Sequence, residues 1–164
     1  MFVKYLIVFL ISMIPIIELR GAIPVGIGMG LNPWICFTVA IIGNMIPVPF
    51  IYFFARKVLV WGKDKKYIGK FFTWCLEKGE KGGKKLMKNG PSGLFVGLML
   101  FVGIPLPGTG AWTGTLAASI LDMGFKRAVI SVILGVLIAG TIMMLASLGV
   151  FGGLSAILSN GVSL

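Results

Sequence analysis

The sequence predicts an all-α integral membrane protein, an inverted repeat in which each half is a re-entrant helical hairpin followed by a transmembrane helix. Three observations carry this reading. Hydrophobic residues fill 57% of the 164 positions, with a mean hydropathy of +1.01, and charged residues only 12%, against about 25% charged in a typical soluble domain. Lipid can solvate that apolar surface where water cannot. Four apolar stretches, 2–31, 33–60, 93–121 and 128–158, divide the chain, and two of them have broken middles. The basic residues cluster, eleven of the fifteen lying between Arg56 and Lys88.

The first stretch begins with Lys4 and an apolar run from Tyr5 to Ile17. Glu18-Leu19-Arg20 comes next in place of a small-x-small cleavage site, so the run is read as uncleaved. Glu18-Leu19-Arg20-Gly21-Ala22-Ile23-Pro24 is read as the break in this stretch, because proline removes a backbone donor and disfavours helix at the residue before it. The second stretch, from Trp34 to Val60, exceeds the roughly 20 residues needed to span a bilayer. Pro47 and Pro49 are expected to kink it, and Asn44 to make a polar contact between helices.

The segment 61–92 is basic. Ile68, Phe71, Phe72 and Cys75 fall at helical spacing opposite Lys63, Lys66 and Lys70, which suits a helix lying in the membrane interface. Gly82-Gly83 is expected to end it. Cys36 and Cys75 are read as free thiols at different depths. Histidine is absent from the chain, and no cluster has metal-ligand spacing.

The third stretch breaks at Gly103-Ile104-Pro105-Leu106-Pro107-Gly108-Thr109-Gly110, where two prolines and the glycines cannot continue a helix. Positions 89–121 carry no charge. The fourth stretch supplies a second span, from Ala128 to about Val150. Aligning Ala22–Gly28 with Gly103–Gly110, and Ile41-Ile42-Gly43 with Ile133-Leu134-Gly135, gives a repeat of about 80 to 90 residues. The expected organisation is a single membrane domain over 1–164: repeat one 1–60, the basic segment 61–92, and repeat two 93–158.

Charge sets the expected topology. With 61–92 in the cytoplasm, each half contributes one span and one hairpin, Lys126 and Arg127 fall inside, and the halves are antiparallel. The basic stripe is thereby read as a topology signal, not a nucleic-acid surface. The expected location is the cytoplasmic membrane, multi-pass.

Glu18 and Arg20 are the leading functional candidates, because ionisable residues at membrane depth are costly and mark functional sites. Mutual pairing for tolerance is the bland alternative. Pro24 is expected to open one half-helix and Thr109 to cap another. Those two N-termini and Arg20 would then hold an anion, with Glu18 exchanging a proton. Gly21, Pro105, Pro107, Gly108 and Gly110 shape the hairpin tips, and Trp112 and Thr113 are placed to line the site. The spacings Gly26/Gly30, Gly110/Gly114 and Gly135/Ala139 are expected to allow close helix packing. No metal or cofactor is expected beyond a proton, and the lack of histidine and of metalloprotease or triad patterns argues against an enzyme.

Glu18-Leu19-Arg20-Gly21-Ala22-Ile23-Pro24 and Gly103-Ile104-Pro105-Leu106-Pro107-Gly108-Thr109-Gly110-Ala111-Trp112-Thr113-Gly114 resemble the two hallmarks of the small multi-drug export protein family, which looks like a distant branch of the DedA (VTT-domain) superfamily. The resemblance implies facing re-entrant loops and, from the better-studied branches, lipid transport. The leading expectation is a flippase for an anionic amphipathic lipid, a polyprenyl phosphate carrier, with proton coupling through Glu18. Its partners would be a phosphate-bearing lipid and further copies of the chain, with no nucleic acid. The alternatives are a proton-coupled exporter of hydrophobic cationic drugs and a non-transporting membrane scaffold.

Overall fold

A computed structural model describes residues 1–63, 90–106 and 108–161. The described chain forms seven helices: α1 (Phe2–Met13), α2 (Glu18–Gly28), α3 (Pro33–Met45), α4 (Pro47–Lys63), α5 (Gly90–Gly103), α6 (Ala111–Ile120) and α7 (Phe125–Gly161). Pro107, Cys75, Gly82-Gly83 and most of the basic amphipathic segment lie outside the described residues.

Two stretches are long and apolar enough to cross a membrane, Pro33–Phe54 and Phe125–Gly153, at the two places expected from sequence. The first is kinked. α3 ends at Met45, Ile46 bridges, and Pro47 opens α4, where its missing N–H costs no helical bond. α1 has 12 residues and α2 has 11, about 18 and 16 Å of helix, each too short for a hydrocarbon core of about 30 Å.

α1 and α2 form an antiparallel hairpin. Lys4 Nζ donates to the Met29 carbonyl at 3.1 Å, and a Cβ on Gly26 would meet Val8 of α1 and Cys36 Sγ of α3 at 2.9 and 2.7 Å. The break between them falls at Ile14–Ile17, earlier than the sequence suggested. Pro15 causes it: Ile14 is extended at φ −74°, ψ 128°, as a residue before proline prefers. Pro24 does not open a helix but sits inside α2, where the Arg20 carbonyl loses its usual N–H partner.

The second half repeats the first in several local contacts. A Cβ on Gly43 would lie 2.7 Å from the Phe9 carbonyl in the last turn of α1, and one on Gly135 would lie 2.7 Å from the Met99 carbonyl in the last turn of α5. α2 and α6 end in the same six-to-one turn, Leu31 N–H to Gly26 O and Met123 N–H to Ala118 O, with Gly30 (φ 74°) and Asp122 (φ 54°) in the left-handed conformation. These contacts pair Ile14-Pro15-Ile16 with Ile104-Pro105-Leu106, a register of about 90 residues. Pro15, not Pro24, is the counterpart of Pro105.

The core is apolar, built on residues such as Val8, Leu19, Ile23, Val102 and Val136, but the exterior is apolar as well. Phe2, Trp34, Phe50, Phe53, Phe54, Ile130 and Leu145 are exposed, while Glu18, Asn44, Thr115, Ser119 and Ser131 are buried. An apolar exterior over a partly polar interior is the pattern expected where the surroundings are hydrocarbon. Ser119 donates to the Tyr52 carbonyl and Ser131 to the Phe95 carbonyl, both at 2.7 Å, so these hydroxyls tie α6 to α4 and α7 to α5. Among the described residues Cys36 is a buried free thiol.

Candidate functional site

The first turn of α2, which directly follows the first break, meets the second break. Glu18 is 3% exposed. Its carboxylate accepts from the amides of Ala111 at 3.1 Å and Trp112 at 3.0 Å, the first two residues of α6. Those N–H groups have no partner within their own helix, and the positive end of the α6 dipole favours an anion there. The cap is thus supplied by another hairpin. Thr109, expected to cap α6, instead donates toward the carbonyls of Ile104 and Leu106 at 2.9 Å. Gly110 takes the N-cap position without a side-chain cap.

Arg20 does the reverse job at the other side of the same break. Its guanidinium donates to the carbonyls of Leu106, Val102 (3.3 Å) and Ile104 (3.4 Å), and to Thr109 Oγ1 (2.9 Å). These acceptors close the C-terminal end of α5 and line the break after it. They lie at the negative end of the α5 dipole, and the carbonyls of Ile104 and Leu106 accept in addition from the amides of Leu106 and Thr109. Two residues apart in sequence, Glu18 and Arg20 therefore each satisfy one end of a broken helix. They are joined through the second hairpin; pairing with each other for tolerance is not their main arrangement.

The backbone is shaped around this clamp. Gly110 has φ 148° and ψ −173°, a region open essentially to glycine alone, and a Cβ there would fall on the Glu18 carboxylate. Gly108 is left-handed at φ 81°, with open space around it. Ile16 and Glu18 also have positive φ, 78° and 51°, rare for a β-branched residue and strained for Glu18. Such strain persists only where surrounding contacts over-determine it.

The other sequence candidates divide. Pro105 and Gly108 lie within the break that Arg20 holds. Gly21 follows Arg20 and packs its backbone against Ile17. Pro24 lies further along α2. Trp112 contributes its amide to Glu18, while its buried indole Nε1 has no partner among the described residues. Thr113 is exposed and turns back to the Gly110 carbonyl at 3.4 Å. Gly114 packs against Val102 and Gly135 against α5, whereas Gly30 serves a turn. Sequence reasoning missed Pro15, although its Ile-Pro-Ile context repeats in Ile104-Pro105-Leu106. It also missed the Ala111 amide and the break carbonyls, which leave no side-chain signal.

The family model described as small multi-drug export protein, a function its own description gives as provisional, matches residues 18–142. The match begins at Glu18, just after the first break, and covers the second break, the first candidate span and the second as far as residue 142. The chain belongs to this family. The family name is that of a membrane transporter, in keeping with the two apolar spans and the apolar exterior. No curated protein and no solved structure matches the chain. Among the described residues no group of three or more His, Cys, Asp or Glu could hold a metal ion.

Proposed function

We propose that this small multi-drug export family member exports hydrophobic organic cations, and that Glu18 couples export to proton movement. The observation that carries the reading is the buried Glu18 carboxylate on the Ala111 and Trp112 amides. Both oxygens face N–H donors. A proton on either removes the negative charge and one of that oxygen's lone pairs, so two charge-assisted bonds become weaker neutral ones. Proton binding therefore loosens the contact between the hairpins, which is the step an alternating transporter requires. Glu18 is the buried acid among the described residues, and a carboxylate freed from its amides is the natural partner of a cation.

The proposed membrane arrangement is the one expected from sequence: α1–α2 and α5–α6 as re-entrant hairpins entering from opposite faces of a cytoplasmic membrane. The lengths of α1 and α2, the meeting of Lys4 with Met29, and the paired Gly43 and Gly135 contacts support it. An assembly of more than one copy belongs to the same proposal, since two spans per chain enclose little on their own.

The anionic-lipid reading, with the kinship to DedA that suggested it, has weaker support. It needs the α6 N-terminal amides and Arg20 presented to a phosphate. Here the amides donate to Glu18 and Arg20 donates to Val102, Ile104, Leu106 and Thr109. Native mass spectrometry of the detergent-purified protein, with tetraphenylphosphonium and a polyprenyl phosphate in competition, separates the two. Cation binding lost in Glu18→Gln and kept in Arg20→Lys supports export of cations. Selective polyprenyl phosphate binding lost on replacing Arg20 would overturn it in favour of the lipid.

A further inference from the structure

Three buried polar side chains have no hydrogen-bond partner among the described residues: Asn44 through both Nδ2 and Oδ1, Trp112 through Nε1, and Thr115 through Oγ1. Asn44 and Thr115 are fully buried. Buried polar groups in folded proteins are paired almost without exception, and hydrocarbon surroundings offer no compensation from outside. Elsewhere in this interior the rule holds: Ser12, Ser119, Ser131 and Ser147 each reach a backbone carbonyl.

Helix register brings the three toward one level. Trp112 and Thr115 are three residues apart on α6 and so share a face. Two tie points set the register between α6 and the first span. Gly43, next to Asn44, packs on Phe9 and Ser12, just before the break that leads to Glu18, and Glu18 holds the start of α6. Further along, Ser119 bonds to the Tyr52 carbonyl. The two elements therefore run side by side in the same direction. Counted back from the Ser119–Tyr52 bond at an ideal rise of about 1.5 Å per residue, Thr115 lies about 6 Å and Trp112 about 10 Å along α6, and Asn44 about 12 Å along the first span if its kink is slight. This level sits beside the hairpin breaks, and Trp112 belongs to both.

We propose that Asn44, Trp112 and Thr115 line an internal site for an uncharged hydrogen-bonding group, supplied by water or by an N–H or O–H group of the exported molecule. The side chains fit such a group and no ion: an amide offering donors and an acceptor, an indole donor, and a hydroxyl that does either. A water in this setting commonly makes about three hydrogen bonds, and here three side chains are on offer. The solute arm of this proposal rests on the export reading; the site itself does not.

The test is thermal unfolding of the intact protein in detergent, for wild type, Asn44→Leu, Trp112→Phe, Thr115→Val and Thr115→Ser. Each is measured alone, with ethidium, which bears N–H groups, and with tetraphenylphosphonium, which bears none. If the site is filled, Thr115→Val and Asn44→Leu lower Tm by about 3 to 8 °C, and Thr115→Ser, which keeps the hydroxyl but loses the methyl, falls less than Val. If the apolar variants raise Tm, or Val is as stable as wild type while Ser is worse, the groups are unfilled and the proposal is overturned. Ethidium raising Tm more than tetraphenylphosphonium in the wild type, with the difference gone in Thr115→Val, makes the solute the occupant. Equal effects of the two, with Tm still lowered by the apolar variants, make water the occupant. Efflux of both compounds from proteoliposomes is followed in parallel. Its absence in the wild type sinks the export reading and leaves the unfolding result to judge the site.

Discussion

At the scale of single residues, Gly110 carries the tightest constraint in the clamp. Gly110→Ala adds a Cβ onto the Glu18 carboxylate and a disfavoured φ, so a loss of about 2 to 4 kcal/mol is expected. Gly108→Ala, left-handed but in open space, is expected to cost about 1 kcal/mol. Thermal unfolding of the two variants checks the order, and equal losses would show that Glu18 does not crowd Gly110. For Arg20→Ala, which removes the guanidinium bonds to Val102, Ile104, Leu106 and Thr109, about 1 to 3 kcal/mol is expected. Lysine should restore part of that, since it carries the charge without the fork that reaches several carbonyls at once. Glu18 and Arg20 stood out in the sequence, because ionisable groups in apolar segments are expensive. Their partners did not, because these are backbone atoms about 90 positions away in sequence.

At the scale of elements, the two spans were legible from length and hydropathy, and the second break from its prolines and glycines. The first break was misplaced because Glu18, Arg20, Gly21 and Pro24 together look more disruptive than the lone Pro15. Charge and glycine do not interrupt a helix here. Nor does every proline: Pro24 is carried inside α2 with the rest of the helix intact, while Pro15 holds Ile14 extended and ends α1. Pro24→Ala restores the N–H that can bond the Arg20 carbonyl, so a higher Tm with unchanged helix content is expected. Pro15→Ala removes the cause of the break that positions Glu18. It is expected to lower Tm and weaken hydrophobic-cation binding, measured by native mass spectrometry. Wild-type binding in Pro15→Ala would mean that the break is set by contacts and not by the proline.

At the scale of the whole molecule, the Ile-Ile-Gly and Ile-Leu-Gly motifs suggested a repeat, and the local contacts suggest a different register for it. Pro24 was paired with Pro105, whereas the turns and glycine contacts pair Pro15 with Pro105. If the halves are inverted across a membrane, residues at the open end of the first hairpin face one side and those at the open end of the second face the other. In a background lacking Cys36 and Cys75, single cysteines at Lys4 and Asn32 are expected to react with an impermeant maleimide from one side, and one at Lys126 from the opposite side. Labelling of all three from one side would contradict the inverted arrangement.

The central claim is that Glu18 both binds the two hairpins together and senses the proton. Its most direct test is cation efflux from proteoliposomes under an imposed pH gradient, comparing wild type with Glu18→Gln. The amide keeps the shape of the side chain but cannot ionise, and one of its two ends is a donor facing a donor. The account predicts gradient-driven export by the wild type and at least a roughly tenfold loss of the gradient-dependent rate in Glu18→Gln, with the protein still folded by circular dichroism. Gradient-driven export at the wild-type rate in Glu18→Gln would contradict it.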